Sequence, residues 1–187
     1  MQSEHLRERL RIELALARKE TDQLFQMLAP DAIYDRPIPE RDRVIFYLGH
    51  LEAFDWNMVC ATAFGMPSFN SHFDRLFQFG IDPVGGELPQ DKPSDWPSVR
   101  EILAYNDRVR CQVDDLLDRS AFTNSSHPFV ENGLIFRVAI EHRWMHAETL
   151  AYMFHWLDYA VKRAPNSVRI NPHEERSHKR PALQALI

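Results

Sequence analysis

Two histidines, His142 and His146, stand one helical turn apart in "EHRWMHAETLAYM", and Glu148 follows shortly after. The stretch reads as helix. At about 100° per residue the two imidazoles lie about 40° apart on its surface. Ile135, Val138, Ala139, Met145, Thr149 and Met153 fall on the same stripe, so the pair is expected to face an apolar interior. Neutral imidazoles so placed can chelate a single ion. They can equally be core histidines whose ring nitrogens bond across the packed interior, since an unsatisfied buried polar group is costly. In a chain with nine histidines the spacing alone is weak evidence.

A third histidine strengthens the metal reading. His50, in "RVIFYLGHLEAFDWNMV", shares a helical stripe with Phe46, Tyr47, Ala53, Phe54 and Ala61. Three inward imidazoles, His50 from one helix and His142 and His146 from another, can form a facial triad if the helices touch. Such a triad leaves positions for water, dioxygen or a thiol. The same stripes put Tyr47, Phe54 and Thr149 on the candidate pocket wall. Asn57 lies two turns beyond His50 and either lines the pocket or makes a polar contact between helices. Glu148 sits about 200° round from His146. It is expected to support a ligating imidazole from outside, or to form an ion pair between helices, rather than bind the ion. His155 falls on the opposite side and is expected at the surface. His72 and His127 are assigned to loops, and His5, His173 and His178 to the termini. Trp56, Trp96, Trp144 and Trp156 are read as packing residues. No nucleophile elbow and no phosphate-binding glycine loop is present.

The elements that must carry these side chains are helices. Leu6, Leu10, Leu14, Ala17, Leu24 and Leu28 recur at helical spacing over about 4–28, and Pro30 closes that run. A second helix is predicted over about 41–64, ended by Gly65 and Pro67. A long connection, 66–96, holds a possible short helix around 73–79 and a Gly- and Pro-rich stretch. A third helix is predicted from Pro97, read as a first-turn proline, to about Leu117. The fourth begins between Pro128 and Gly133 and reaches about Arg163. The fold expected is all-α: a four-helix bundle over 1–165 with a long crossover between the second and third helices, followed by a polar tail or linker, 166–187. The crossover would let the second and third helices run parallel.

Composition bounds the rest. The chain has 187 residues, enough for one domain with a substantial core, and 44% of them are apolar. A net charge of −5 with scattered Lys and Arg argues against nucleic acid as a main partner. No apolar run is long enough to cross a membrane, and the charged N-terminus lacks the apolar segment of a signal peptide, so a cytoplasmic protein is expected. Cys60 and Cys111 are read as reduced, buried residues.

"FYLGHLEAFDWNMV" and "EHRWMHAETLAYM", with "LFQFGIDPVGGELP" and "DWPS" between them, resemble the DinB-like (DinB/YfiT-type) metal-binding bundles over about residues 5–165. The resemblance is greatest to the N-terminal domain of the ergothioneine-biosynthesis sulfoxide synthases. It implies that His50, His142 and His146 ligate a non-haem Fe(II), which in that family helps couple dioxygen, a thiol and trimethylated histidine. Relatives in the wider superfamily include metal-dependent thiol S-transferases. The expectation is therefore a divalent transition metal, Fe(II) favoured and Ni, Zn or Co able to substitute, acting on a small-molecule thiol. Sulfoxide synthases continue into a second domain resembling sulfatase-modifying factors. A partner domain of that kind, supplied separately, is one alternative; a non-catalytic metal-binding or scaffold bundle is another. A homodimer is compatible with such bundles.

Overall fold

A computed structural model describes residues 2–78, 88–123, 125 and 127–163. Five α-helices follow in chain order: α1 (Gln2–Gln26), α2 (Val44–Asp55), the short α3 (Ser71–Leu76), α4 (Val99–Arg119) and α5 (Leu134–His155). The four long ones form the bundle, and no strand occurs among the described residues. The polar tail assigned to 166–187 and the glycine-rich stretch 79–87 lie outside the described residues.

Cross-helix ion pairs and hydrogen bonds give the topology. Leu48 pairs with Asn106 and Glu52 with Arg110, so α2 and α4 advance in the same direction, as the long crossover permits. Arg11, Arg18 and Asp22 meet Asp118, Asp114 and Arg110 in turn, which makes α1 and α4 antiparallel. Gly133 packs on Leu10 and Lys162 bridges Leu28, so α1 and α5 run parallel. α2 lies against both α4 and α5.

α2 is the central helix. Every residue from Val44 to Ala53 is buried, whereas α1 buries one face, Leu10, Leu14, Ala17 and Thr21. A helix apolar nearly all round belongs in a core. α2 does not continue as α to 64. From Trp56 to Ala63 it widens into π-helix, a departure that changes which residues share His50's face.

Three boundaries differ from the sequence expectation. α4 starts at Val99 because Ser98 caps it: Ser98 Oγ accepts from Glu101 N and Glu101 Oε2 accepts from Ser98 N, which leaves Pro97 outside the helix. α3 begins at Ser71, so His72 is helical and exposed. α5 ends at His155, well short of Arg163. Beyond it Asp158 Oδ1 caps a separate 3-10 turn, and Arg163 N then donates to Met27 O at 2.6 Å. Gly133 opens α5 at φ 69, where a Cβ would also sit 2.5 Å from Leu10.

Candidate metal centre

His50 is held by the backbone of the α3 segment. Its Nδ1 lies 2.7 Å from the Phe77 carbonyl, which can only accept, so Nδ1 carries the proton and Nε2 keeps its lone pair. Gly49 makes this approach possible. A Cβ there would stand 2.6 Å from the Phe77 ring.

The free Nε2 of His50 faces Nε2 of His146 at 3.1 Å. Nitrogens each about 2.0–2.1 Å from one ion stand about 3–3.4 Å apart, so this spacing suits a shared ion. His142 completes the group: one ring nitrogen from each of His50, His142 and His146 lies within 4.8 Å of the others. Ring centroids are 5.0 Å apart for His50–His142 and 4.5 Å for His142–His146.

The surroundings keep all three rings neutral. Burial, with repulsion from His146 and His50, brings His142 down to about 2. Burial, then the charge of a protonated His50, brings His146 down to about 3. Burial also lowers His50, against the opposing pull of its Phe77 hydrogen bond. Neutral imidazole is the ligating form. Nδ1 of His142 and Nδ1 of His146 are buried without a partner. Three neutral imidazoles brought together, with ring nitrogens unclaimed by the protein, fit a divalent transition ion.

Aromatic rings fix the imidazoles. Phe54 stacks on His142 with centroids 3.6 Å apart, Phe46 stacks on His50, and Tyr47 meets His146 edge-on at 5.7 Å. The Tyr47 hydroxyl is buried without a partner, and burial raises its pKa so that it stays protonated. Thr149 is half-buried and its hydroxyl bonds to Met145 O. Asn57, on the π-helical segment, does not join the histidines; its Nδ2 donates to Asp74 O and ties α2 to α3. Glu148 is exposed and bonds to none of the three imidazoles. It faces solvent because the buried arc of α5 is centred near Arg143, about a quarter-turn from the stripe drawn through the histidines. Val138 and Met145, placed inside by that stripe, are accordingly 36% and 48% exposed. His142 therefore lies at the margin of the bundle and is half-buried, whereas His50 and His146 are buried.

The carboxylates that do reach this region are Glu52 and Asp55. Arg143, fully buried between the two α5 histidines, donates from Nη2 to Glu52 at 2.9 Å and to Asp55 at 2.7 Å. Arg110 bonds Glu52 from Nε and grips Asp22 with both terminal nitrogens. This chain joins α1, α2, α4 and α5. Burial pushes the Glu52 carboxyl up, but Arg143 and Arg110 together outweigh it and hold it below the usual range. Asp55 is hydrogen-bonded by Arg143 alone, with Arg18 adding a smaller pull, and burial leaves its carboxyl raised. The sequence signal was a pair of acids, Glu52 and Asp55, within an otherwise apolar helix.

Other expected residues divide. Trp56 is core and Trp96 packs on Phe46 and Phe77, but Trp144 and Trp156 are exposed at 42% and 73%. Cys60 is buried, with its thiol pushed up to about 12 by burial, whereas Cys111 is exposed on α4 rather than buried; both are free. His155 is exposed, as expected.

A helical bundle with an inward three-histidine group defines the class. A DinB superfamily profile matches residues 13–150, and the chain belongs to that superfamily. It is also 36% identical over 134 residues to ergothioneine biosynthesis protein 1 of Neurospora crassa. That match takes in 68% of this chain and 15% of the relative, so the chain spans a small part of the relative's length. No helix among the described residues is long and apolar enough to cross a membrane.

Proposed function

We propose that the chain is a mononuclear metal-binding domain in which His50, His142 and His146 hold one divalent transition ion, Fe(II) in preference, for chemistry on a thiol. The observation that carries the proposal is the His50–His146 contact: a tautomer fixed by Phe77 leaves a lone pair 3.1 Å from the partner nitrogen. The thiol and the iron are what the resemblance to the ergothioneine-biosynthesis sulfoxide synthases implies, and similarity to a protein named for ergothioneine biosynthesis supports that resemblance. Bound there, such an ion lowers the pKa of a ligated thiol and, if iron, handles dioxygen.

The chain's own residues orient and protect. Phe54 and Phe46 clamp two imidazoles, and the Phe77 carbonyl keeps His50 in one tautomer. The Tyr47 ring packs edge-on against His146, and its hydroxyl stays protonated and unpartnered. Access is from the His142 side. There the exposed Val138 and Met145 leave an apolar margin that suits a substrate or a partner domain.

Dependence on a second domain is the other reading, since the match takes in a small share of the relative's length. Anaerobic metal loading followed by titration with cysteine tests the first. A new sulfur-to-metal absorption band supports it, and its absence from fully loaded protein contradicts thiol binding by the chain alone. Restoration of the band by a relative's remaining domain would support the second.

A further inference from the structure

α2 carries a second functional face. Leu48, Leu51 and Glu52 point about 100–200° round the helix from His50. They wall a cleft of about 450 Å3, closed by the end of α1, the segment after it and the first turns of α4. Phe25, Ile33 and Leu103 make much of its lining apolar, while Asp22, Gln26, Glu52, Asn106, Asp107 and Arg110 supply the polar groups.

Those polar groups are unbalanced in one sense. Arg110 is the single cation among them, and it is already committed to Glu52 through Nε and to Asp22 through Nη1 and Nη2. Glu52 is also held from beneath by Arg143, so Asp22, Glu52 and Asp107 stand against two guanidiniums and Asp107 is the unpaired charge of the lining. Asn106 is 3% exposed and donates its Nδ2 to Leu48 O at 2.8 Å, yet its Oδ1 is buried without a partner. An acceptor so placed calls for a donor. An anionic ligand would meet carboxylates and an acceptor, and a hydrocarbon would leave Oδ1 unpaired.

We propose that this cleft is a binding site for a small organic cation, an aryl- or alkylammonium. Its apolar body lies on Phe25, Ile33 and Leu51, and its N–H groups meet Asn106 Oδ1 in the field of Asp107. The site is separate from the three histidines and does not depend on metal.

Phenethylammonium and 3-phenylpropionate, matched in size and opposite in charge, test this by isothermal titration into the full chain. The ammonium is expected to bind at least about tenfold tighter. Leu103 is 46% exposed, so Leu103→Trp can obstruct the cleft without being forced into the core. It should weaken the ammonium by about tenfold or more while melting temperature and metal content stay at wild-type values. Asp107→Asn, at an exposed position, should weaken the ammonium several-fold and leave the carboxylate no weaker. Equal affinity for both probes, binding of neither, or wild-type affinity in a folded Leu103→Trp protein would overturn the proposal.

Discussion

Phe77 fixes His50: its carbonyl accepts the Nδ1 proton at 2.7 Å, and its ring packs where Gly49 has no side chain. One hydrogen bond therefore selects the tautomer that turns a lone pair toward His146. The α3 segment, far from α5 in sequence, acts on the three-histidine group through this bond.

Gly49→Ala tests that coupling. Alanine favours the helix by about 1 kcal/mol over glycine. The added Cβ meets the Phe77 ring at 2.6 Å, and Phe46, Phe73 and Trp96 hem that ring in. Overpacking of this kind costs about 1–3 kcal/mol, so the net expectation is a loss of up to about 2 kcal/mol. Metal affinity should fall with it. Denaturant midpoints and metal titration check both, and unchanged values in both would show that Phe77 does not position His50.

Arg143 is predicted to matter for folding rather than for metal directly. Arg143→Met leaves Glu52 with Arg110 but strips Asp55 of the guanidinium that hydrogen-bonds it. Removing one member of a buried ion pair costs about 3–5 kcal/mol. Glu148→Gln, at an exposed position without partners, should stay within about 0.5 kcal/mol of wild type and retain its metal. Equilibrium unfolding of the two variants separates them, and the reverse order would refute this assignment of carboxylate roles.

The histidines also set a pH dependence in metal-free protein. Their folded pKa values lie below the unfolded value near 6.5, with His142 at about 2 and His146 at about 3. Below pH 6.5 the unfolded chain binds protons that the folded chain refuses, so stability falls as pH drops. The slope approaches about 1.4 kcal/mol per pH unit for each neutral histidine, and the loss levels off near the folded values. Glu52, with a lowered pKa, adds its own loss only below its ordinary range. Urea midpoints at pH 7.5 and 5.5 should therefore differ, and His142→Leu should reduce the difference. A flat profile across that window would contradict neutral buried imidazoles.

The bundle was readable because a 3.6-residue apolar period survives in α1, α4 and α5 and α2 is apolar nearly all round, and the loop 66–96 already allowed a parallel pair. His50, His142 and His146 were readable for the same reason. What escaped was the phase of α5. Drawing its stripe through the histidines placed Val138 and Met145 inside, whereas the buried arc is anchored by Arg143, a charge that periodicity treats as solvent-facing. Its partners Glu52 and Asp55 lie 91 and 88 residues away, so no local pattern could pair them. Glu148, expected to support an imidazole from outside or to form an ion pair between helices, is turned to solvent by the phase of α5. The π-helical widening after Asp55 likewise has no hydrophobic-period signature, and it carries Asn57 toward Asp74.

The central claim is that three histidines from two helices hold one ion, and metal content after anaerobic purification tests it most directly. Wild-type chain should carry about one transition-metal ion, the stoichiometry of a single site, while the His142→Ala, His146→Ala double variant should carry almost none and remain folded by circular dichroism. Unchanged metal content in the double variant would contradict the account.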